Sequence, residues 1–246
     1  PAPRKRRSQV SVRLSTTVDD MTVVITAPDN LHGDSSHEHI RRTVIEATGL
    51  GGVRIFRGIR YGRAERFRAP MPVSAPAGVQ PADKFGPVSP QSGSRFGPQS
   101  EDCLFLNIWT ADARPAARKP VMLYIHGGGY SWGSGASPVR DGGELARRGD
   151  VVVLTLNHRL NVFGHLFLSH LVKDERYAAS GNAGLLDLVL ALEWIRDNIA
   201  AFGGDPDCVT LFGQSGGGGK IACLMAMSSA KGLFHRAWRR GGEQVA

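Results

Sequence analysis

Cysteine is scarce in this chain of 246 residues: Cys103, Cys208 and Cys223 are the only three, and no C-x-x-C pair occurs. An odd, unspaced set excludes a disulfide framework or thiolate zinc site as the source of stability. No run of 18 apolar residues is present, so no membrane span is expected. The basic start leads into Val10-Ser11-Val12-Arg13-Leu14-Ser15-Thr16, which is too polar for the core of a signal peptide. That favours a cytoplasmic location, with the natural start left open because Pro1 rather than Met stands first. The formal net charge is +8, of which Arg4, Lys5, Arg6 and Arg7 supply four. No aromatic residue interleaves those four, so a solvated basic terminus is expected rather than a nucleic-acid site. Internal repeats and low-complexity segments are also missing.

What is present is a hydrophobic fraction of 41%, enough for one large or two small cores. Residues 1–42 read as a poorly ordered extension with one short strand over 21–26. Within them His32, His37 and His39 stand near Asp34 and Glu38. The spacing fits no closed zinc pattern, so a loop is expected there, and no metal. Residues 53–61 read as a strand broken at Gly58, and 69–100 as irregular surface chain rich in Pro, Gly and Ser. Short apolar strands follow at 103–109 and 121–126. Residues 151–156 are almost wholly aliphatic, as in a strand buried on both faces of a parallel sheet. Leu185, Leu188, Val189, Leu192, Ile195 and Ile199 recur at helical spacing, with Asn182 placed to cap and Phe202-Gly203-Gly204 to terminate. A strand at 209–212, a glycine-rich turn and a helix from about 216 to 228 complete an alternation that predicts a parallel α/β sheet.

The sharpest motif is Gly213-Gln214-Ser215-Gly216-Gly217, placed between an apolar strand and a helix. A G-x-S-x-G segment in that context is a nucleophile elbow. The serine sits on a strained turn, its neighbours two positions away must lack bulk, and the helix start behind it favours negative charge. The rival reading is a structural glycine-rich turn. A second signal is His126-Gly127-Gly128-Gly129, directly after a strand. Acyl transfer develops an oxyanion that needs backbone N–H groups, and glycines let the backbone approach closely. The rival reading here is a flexible loop, but a glycine triplet upstream of an elbow supplies the other half of one oxyanion hole.

Further segments make the resemblance specific. Glu101-Asp102-Cys103-Leu104-Phe105-Leu106-Asn107-Ile108 resembles one signature of the type-B carboxylesterases, the family that includes cholinesterases. Phe202-Gly203-Gly204-Asp205-Pro206, continuing through Val209 to Ser215, resembles the other. Asn157-His158-Arg159-Leu160-Asn161-Val162-Phe163-Gly164 and Phe56-Arg57-Gly58-Ile59 are also similar to family segments. The likeness runs from about Thr43 to about Ala237 and implies that 43–246 is the N-terminal portion of an α/β-hydrolase domain, cut off after the elbow helix. It implies Ser215 as the acyl-ester nucleophile, Gly128, Gly129 and Gly216 as oxyanion donors, a small-molecule carboxylic ester as substrate, and no cofactor. Tyr130 and Trp132 either wall the acyl pocket or pack the loop. Asp205 is expected to fix the loop before the elbow strand. Three positions depart from the pattern. Gln214 replaces a common Glu, Gly216 replaces a common Ala with little expected effect, and Ser89 stands where some members pair a cysteine with Cys103. Cys103 is therefore expected to be a free, buried thiol.

The fold orders its triad Ser, then Asp or Glu, then His. After Ser215 the one acid is Glu243 and the one histidine is His235, in the reverse order. His235 is expected to be a surface or capping residue, and His126 and His158 to be structural. The acid and base are thus expected to be missing, and the chain alone to turn over little or nothing. Losing triad members costs on the order of 10⁴–10⁶ in kcat. Trp238-Arg239-Arg240-Gly241-Gly242-Glu243 stands where the family continues with an apolar strand, the composition of a shifted or early-ended reading frame. An exposed apolar sheet edge at 209–212, with self-association through it, is expected in consequence. The rivals to an esterase are a non-catalytic fragment or interaction domain of the same fold, as in cholinesterase-like adhesion proteins, and a basic nucleic-acid binder.

Overall fold

A computed structural model describes residues 11–14, 21–28, 40–74, 78–93 and 95–241. His32, His37, His39 and Glu243 lie outside the described residues. The chain opens with β1 (Ser11–Leu14), β2 (Met21–Pro28), β3 (Ile40–Glu46), β4 (Thr48–Leu50) and β5 (Val53–Arg60). Short pieces follow as β6 (Gly62–Arg63), β7 (Met71–Pro72) and β8 (Gly78–Pro81), then β9 (Phe105–Thr110) and β10 (Lys119–Ile125). The remainder alternates: α1 (Gly143–Gly149), β11 (Val152–Leu156), α2 (Asn161–His165), α3 (Ala183–Asn198), β12 (Gly204–Gln214), α4 (Gly216–Ala226) and β13 (Arg236–Arg240). The strand read at 21–26 lies within β2, and the boundary expected at 42/43 falls inside β3.

The main sheet has seven strands in the order β13-β12-β10-β11-β9-β5-β4. It is mixed, not parallel throughout. β13, β12, β10 and β11 run parallel, whereas β9, β5 and β4 join antiparallel. The difference lies in the connections. A parallel pair needs a long crossover, usually helical, and antiparallel neighbours need none. Among the described residues, no helix stands between β5 and β9. A smaller sheet, ordered β1-β2-β3-β8, and the β6-β7 ladder lie outside the main one.

The break read at Gly58 is a bulge. The β5–β9 register shifts between Phe56 and Ile59, with Gly58 at φ 70°. Its N–H donates to Asn107 Oδ1 at 2.9 Å, and Asn107 Nδ2 donates to Thr155 Oγ1 at 2.9 Å. A buried Asn in the middle of an apolar strand thus serves three strands.

Alternate residues of the central strands face opposite ways, as a strand requires. Ile55, Trp109 and Val153 pack with Ala146 of α1 on one face. Phe56, Ile108 and Leu154 pack on the other with Leu188 and Ile195 of α3 and Ile221 and Leu224 of α4. The result is a sheet between helical layers. By length and composition alone, Glu175–Phe202 could cross a membrane, but α3 within it is the core helix on this face. Asn182 stands at the cap position just before α3 but makes no side-chain cap bond. Gly203, at φ 81°, closes the following turn.

The edge expected at 209–212 is not an edge. β13 pairs parallel with β12 from Thr210↔Arg236 to Gln214↔Arg240. The outer strand among the described residues is therefore Arg-Ala-Trp-Arg-Arg, exposed at all five positions. His235 leads into it, its Nδ1 accepting from the Val209 N–H at 3.1 Å.

Candidate active site

The elbow follows from where glycine is required. β12 must turn into α4 within one residue, and Ser215 makes the turn at φ 55°, ψ −127°. A non-glycine residue there is strained, and such strain persists only where the surroundings hold it. Ser215 N–H donates to the Arg240 carbonyl at 2.8 Å, and its own carbonyl accepts from Gly219 N–H at 3.1 Å. A Cβ on Gly213 would lie 2.8 Å from the Ile125 carbonyl oxygen, and one on Gly217 would collide with that same oxygen. Both glycines of the motif are thus dictated by the end of β10. The serine side chain is left half-buried at the head of α4, where the helix start favours an anion.

The glycine loop leaves β10 at the same level. Gly128 (φ 96°), Gly129 (φ 57°), Tyr130 (φ 64°) and Gly133 (φ 123°) all take the left-handed side. A side chain on Gly128 would strike the Trp132 carbonyl. The Gly128 carbonyl accepts from Ser131 and Trp132 at 3.0 and 3.1 Å, closing the turn. Among the described residues, no acceptor takes the Gly128 or Gly129 N–H. The N–H that begins α4, Gly216, has no partner within its helix, as at every helix start. A Cβ on Gly127 would lie 3.4 Å from Ser215 Cβ, and one on Gly216 would lie 2.9 Å from Gly129 N. Loop and elbow are therefore in direct contact, Gly127 against Ser215 and Gly129 against Gly216 at the start of α4.

Several groups hold the loop, and most were not singled out by their motifs. Gln91 grips Gly133 from both sides, accepting its N–H at 2.8 Å and donating to its carbonyl at 3.0 Å. Asn161 N–H donates to the Tyr130 carbonyl at 2.8 Å. Asn157 Oδ1 accepts from Gly135 N–H at 2.9 Å. The segment carrying Asn157 and Asn161 is anchored by Arg159, wholly buried against Asp187 of α3 at 2.6 Å. Arg159 also donates to the Arg68 carbonyl at 2.7 Å.

The two aromatic residues of the loop diverge. Tyr130 turns inward, its ring 5.3 Å from His165 and 5.3 Å from Lys220 Nζ. Its outer side borders a shallow depression of about 410 Å³ shared with Asn161 and His165. Trp132 points outward and stacks on Phe96 at 6.5 Å.

His126 and His158 are not placed as bases. Their rings stack at 4.8 Å, and each Nδ1 lies 2.9 Å from a carbonyl, of Gly127 and Arg159 respectively. Burial, reinforced by the Lys220 charge, pushes His126 down to about 3 and His158 well below the ordinary imidazole range. Both are neutral and inward. Among the described residues the Ser215 hydroxyl has no hydrogen-bond partner, and no group of His, Cys, Asp and Glu could hold a metal ion. Cys103 is free and buried, its thiol pushed up by burial and hydrogen-bonded to the Ser89 side chain. Asp205 binds Arg118 at 2.8 Å and accepts Asp207 N–H at 3.0 Å, which fixes the start of β12.

Residues 40–245 match the carboxylesterase family. The chain is 44% identical to para-nitrobenzyl esterase of Bacillus subtilis (strain 168) over 209 residues, which is 80% of this chain and 42% of that protein. It is 40% identical to fumonisin B1 esterase of Sphingopyxis macrogoltabida over 196 residues, 76% of this chain and 36% of that one. The crystal structure of Geobacillus stearothermophilus carboxylesterase EST55 superposes with a TM-score of 0.76 at 46% identity, covering 80% of this chain and 41% of that one. The chain thus spans about two fifths of the length of these relatives.

Proposed function

The chain belongs to the carboxylesterase family and has the α/β-hydrolase fold, and from that premise we propose that it carries the nucleophile and oxyanion machinery of a carboxylic ester hydrolase. Ser215 Oγ attacks the ester carbonyl carbon, its proton passing to a base. The carbonyl oxygen becomes an oxyanion and is received by the N–H groups of Gly128, Gly129 and Gly216. Collapse expels the alcohol and leaves an acyl-serine, which water then hydrolyses. What supports this is that the glycine loop packs against Ser215 and Gly216, that the Gly128 and Gly129 amides have no acceptor among the described residues, and that the Ser215 backbone is strained to φ 55°. Preorganised donors of this kind are worth about 10²–10³ each in kcat. The reaction needs no metal or organic cofactor. Both named relatives are esterases, which agrees with a small carboxylic ester as substrate.

The described residues offer Ser215 no base, and serine without one is a weak nucleophile. We therefore expect slow, stoichiometric acylation and little turnover from this chain. A second reading, a non-catalytic fragment or interaction domain of the same fold, draws on the same unpartnered hydroxyl. A fluorophosphonate probe with mass mapping separates the two. Labelling at Ser215, abolished in Ser215→Ala and above that of a denatured control, supports the hydrolase site. Labelling no faster than in the denatured chain would overturn it.

A further inference from the structure

Lys220 has no part in the reaction above, yet it is the buried cation nearest in sequence to the nucleophile. It stands on α4 and is fully buried. Among the described residues, no carboxylate pairs with it. Its Nζ donates to the His126 carbonyl at 3.0 Å and lies 5.3 Å from the centre of the Tyr130 ring. His126 immediately precedes the glycine triplet, and Tyr130 immediately follows it. One ammonium therefore meets the loop on both sides of Gly127-Gly128-Gly129. Tyr130 needs such a grip, because a bulky residue at φ 64° is strained.

We propose that Lys220 is a positioning residue, fixing the glycine loop relative to Ser215 by binding its two flanks from inside the molecule. The proposal rests on the reading of that loop as the oxyanion hole. The groups around the ammonium are His126 at the end of β10, His158 after β11, His165 of α2, Tyr130 of the loop and Cys223 of α4. Arg140 adds positive charge on His126. The Nε2 atoms of all three histidines are buried without a hydrogen-bond partner, and the Lys220 charge lowers all three. Tyr130 is held protonated, pushed up to about 12 mainly by burial. Burial draws Lys220 itself down to about 7. Deprotonation therefore removes the attraction to the Tyr130 ring and at the same time relieves the burial of the charge.

The test is hydrogen exchange of peptides covering residues 127–133 in the full chain, with phosphonate labelling measured in parallel. Lys220→Met should speed exchange in that segment selectively. It should also slow labelling of Ser215 by about tenfold or more, since a misplacement of about 1 Å can cost about 10². Unchanged loop exchange, or an equal rise throughout the chain, would overturn the proposal. If the wild type does not label at all, the esterase reading fails, while loop exchange still decides the role of Lys220. If Lys220→Met does not fold, the wild type decides. Loop exchange corrected for intrinsic rates should change between about pH 6 and about pH 9, the interval in which a lysine so lowered titrates; a flat profile refutes the grip.

Discussion

Gly216 and Gly217 are adjacent, but they meet different neighbours. A methyl on Gly217 would collide with the Ile125 carbonyl, which belongs to a central strand. Gly217→Ala should therefore lower stability by about 1–3 kcal/mol, the usual cost of overpacking, and this can be read from a denaturant melt. A methyl on Gly216 would stand 2.9 Å from Gly129 N, so the glycine loop must shift to admit it, a smaller clash than that at Gly217. Gly216→Ala should leave the melt nearly unchanged and slow phosphonate labelling, because it displaces a donor. Lys220 yields a prediction of its own. Its folded value is drawn down to about 7, against about 10.4 when unfolded. Between these values the unfolded chain holds a proton that the folded chain has released, so stability rises with pH across the window. The melting temperature of the wild type relative to Lys220→Met should climb from about pH 7 to about pH 10; a constant difference would contradict the burial argument. Ser215 and the glycine triplet were legible in the sequence because their steric demands leave a motif. Lys220 was not, since a lone lysine ordinarily signals a solvated position, and only its wholly apolar and glycine neighbours hinted otherwise.

At the scale of elements, α3 was legible from its apolar spacing, but its beginning was not. A 3-10 turn, Ser180–Asn182, runs straight into the helix, so Asn182 is already part of a turn and its side chain makes no cap bond. Asn182→Ala should therefore cost clearly less than the ~1 kcal/mol typical of a working cap. The heavier anchor is Asp187. It is fully buried and takes the Arg159 guanidinium and backbone N–H. Asp187→Ala strands a buried guanidinium and should cost about 3–5 kcal/mol, whereas pairing it with Arg159→Met should recover much of the loss. Chemical denaturation of the single and double variants measures both, and equal losses would refute the pairing. Strand direction was hidden for a different reason. The sequence between β5 and β9 carries no periodic helix, and no other signal in it shows the direction in which the two strands pair.

Across the whole molecule, the outer edge differs in kind from the one expected. β12 is covered, and the exposed strand beyond it carries Arg236, Arg239 and Arg240 around Trp238. Positive charge on an edge opposes pairing with a second copy, and salt removes that protection as the screening length falls from ~30 Å at 0.01 M to ~3 Å at 1 M. Light scattering should accordingly report more self-association as salt is raised over that range, and association that falls with salt would point to a different surface. That edge strand is also wired to the chemistry, for the Arg240 carbonyl holds the backbone N–H of Ser215. Whatever peels the rim of the sheet away, whether an antibody, a surface or a pulling force, must release the hinge on which the reactive hydroxyl is mounted. The periphery thereby acts as a tripwire, able to loosen the Ser215 turn from a distance.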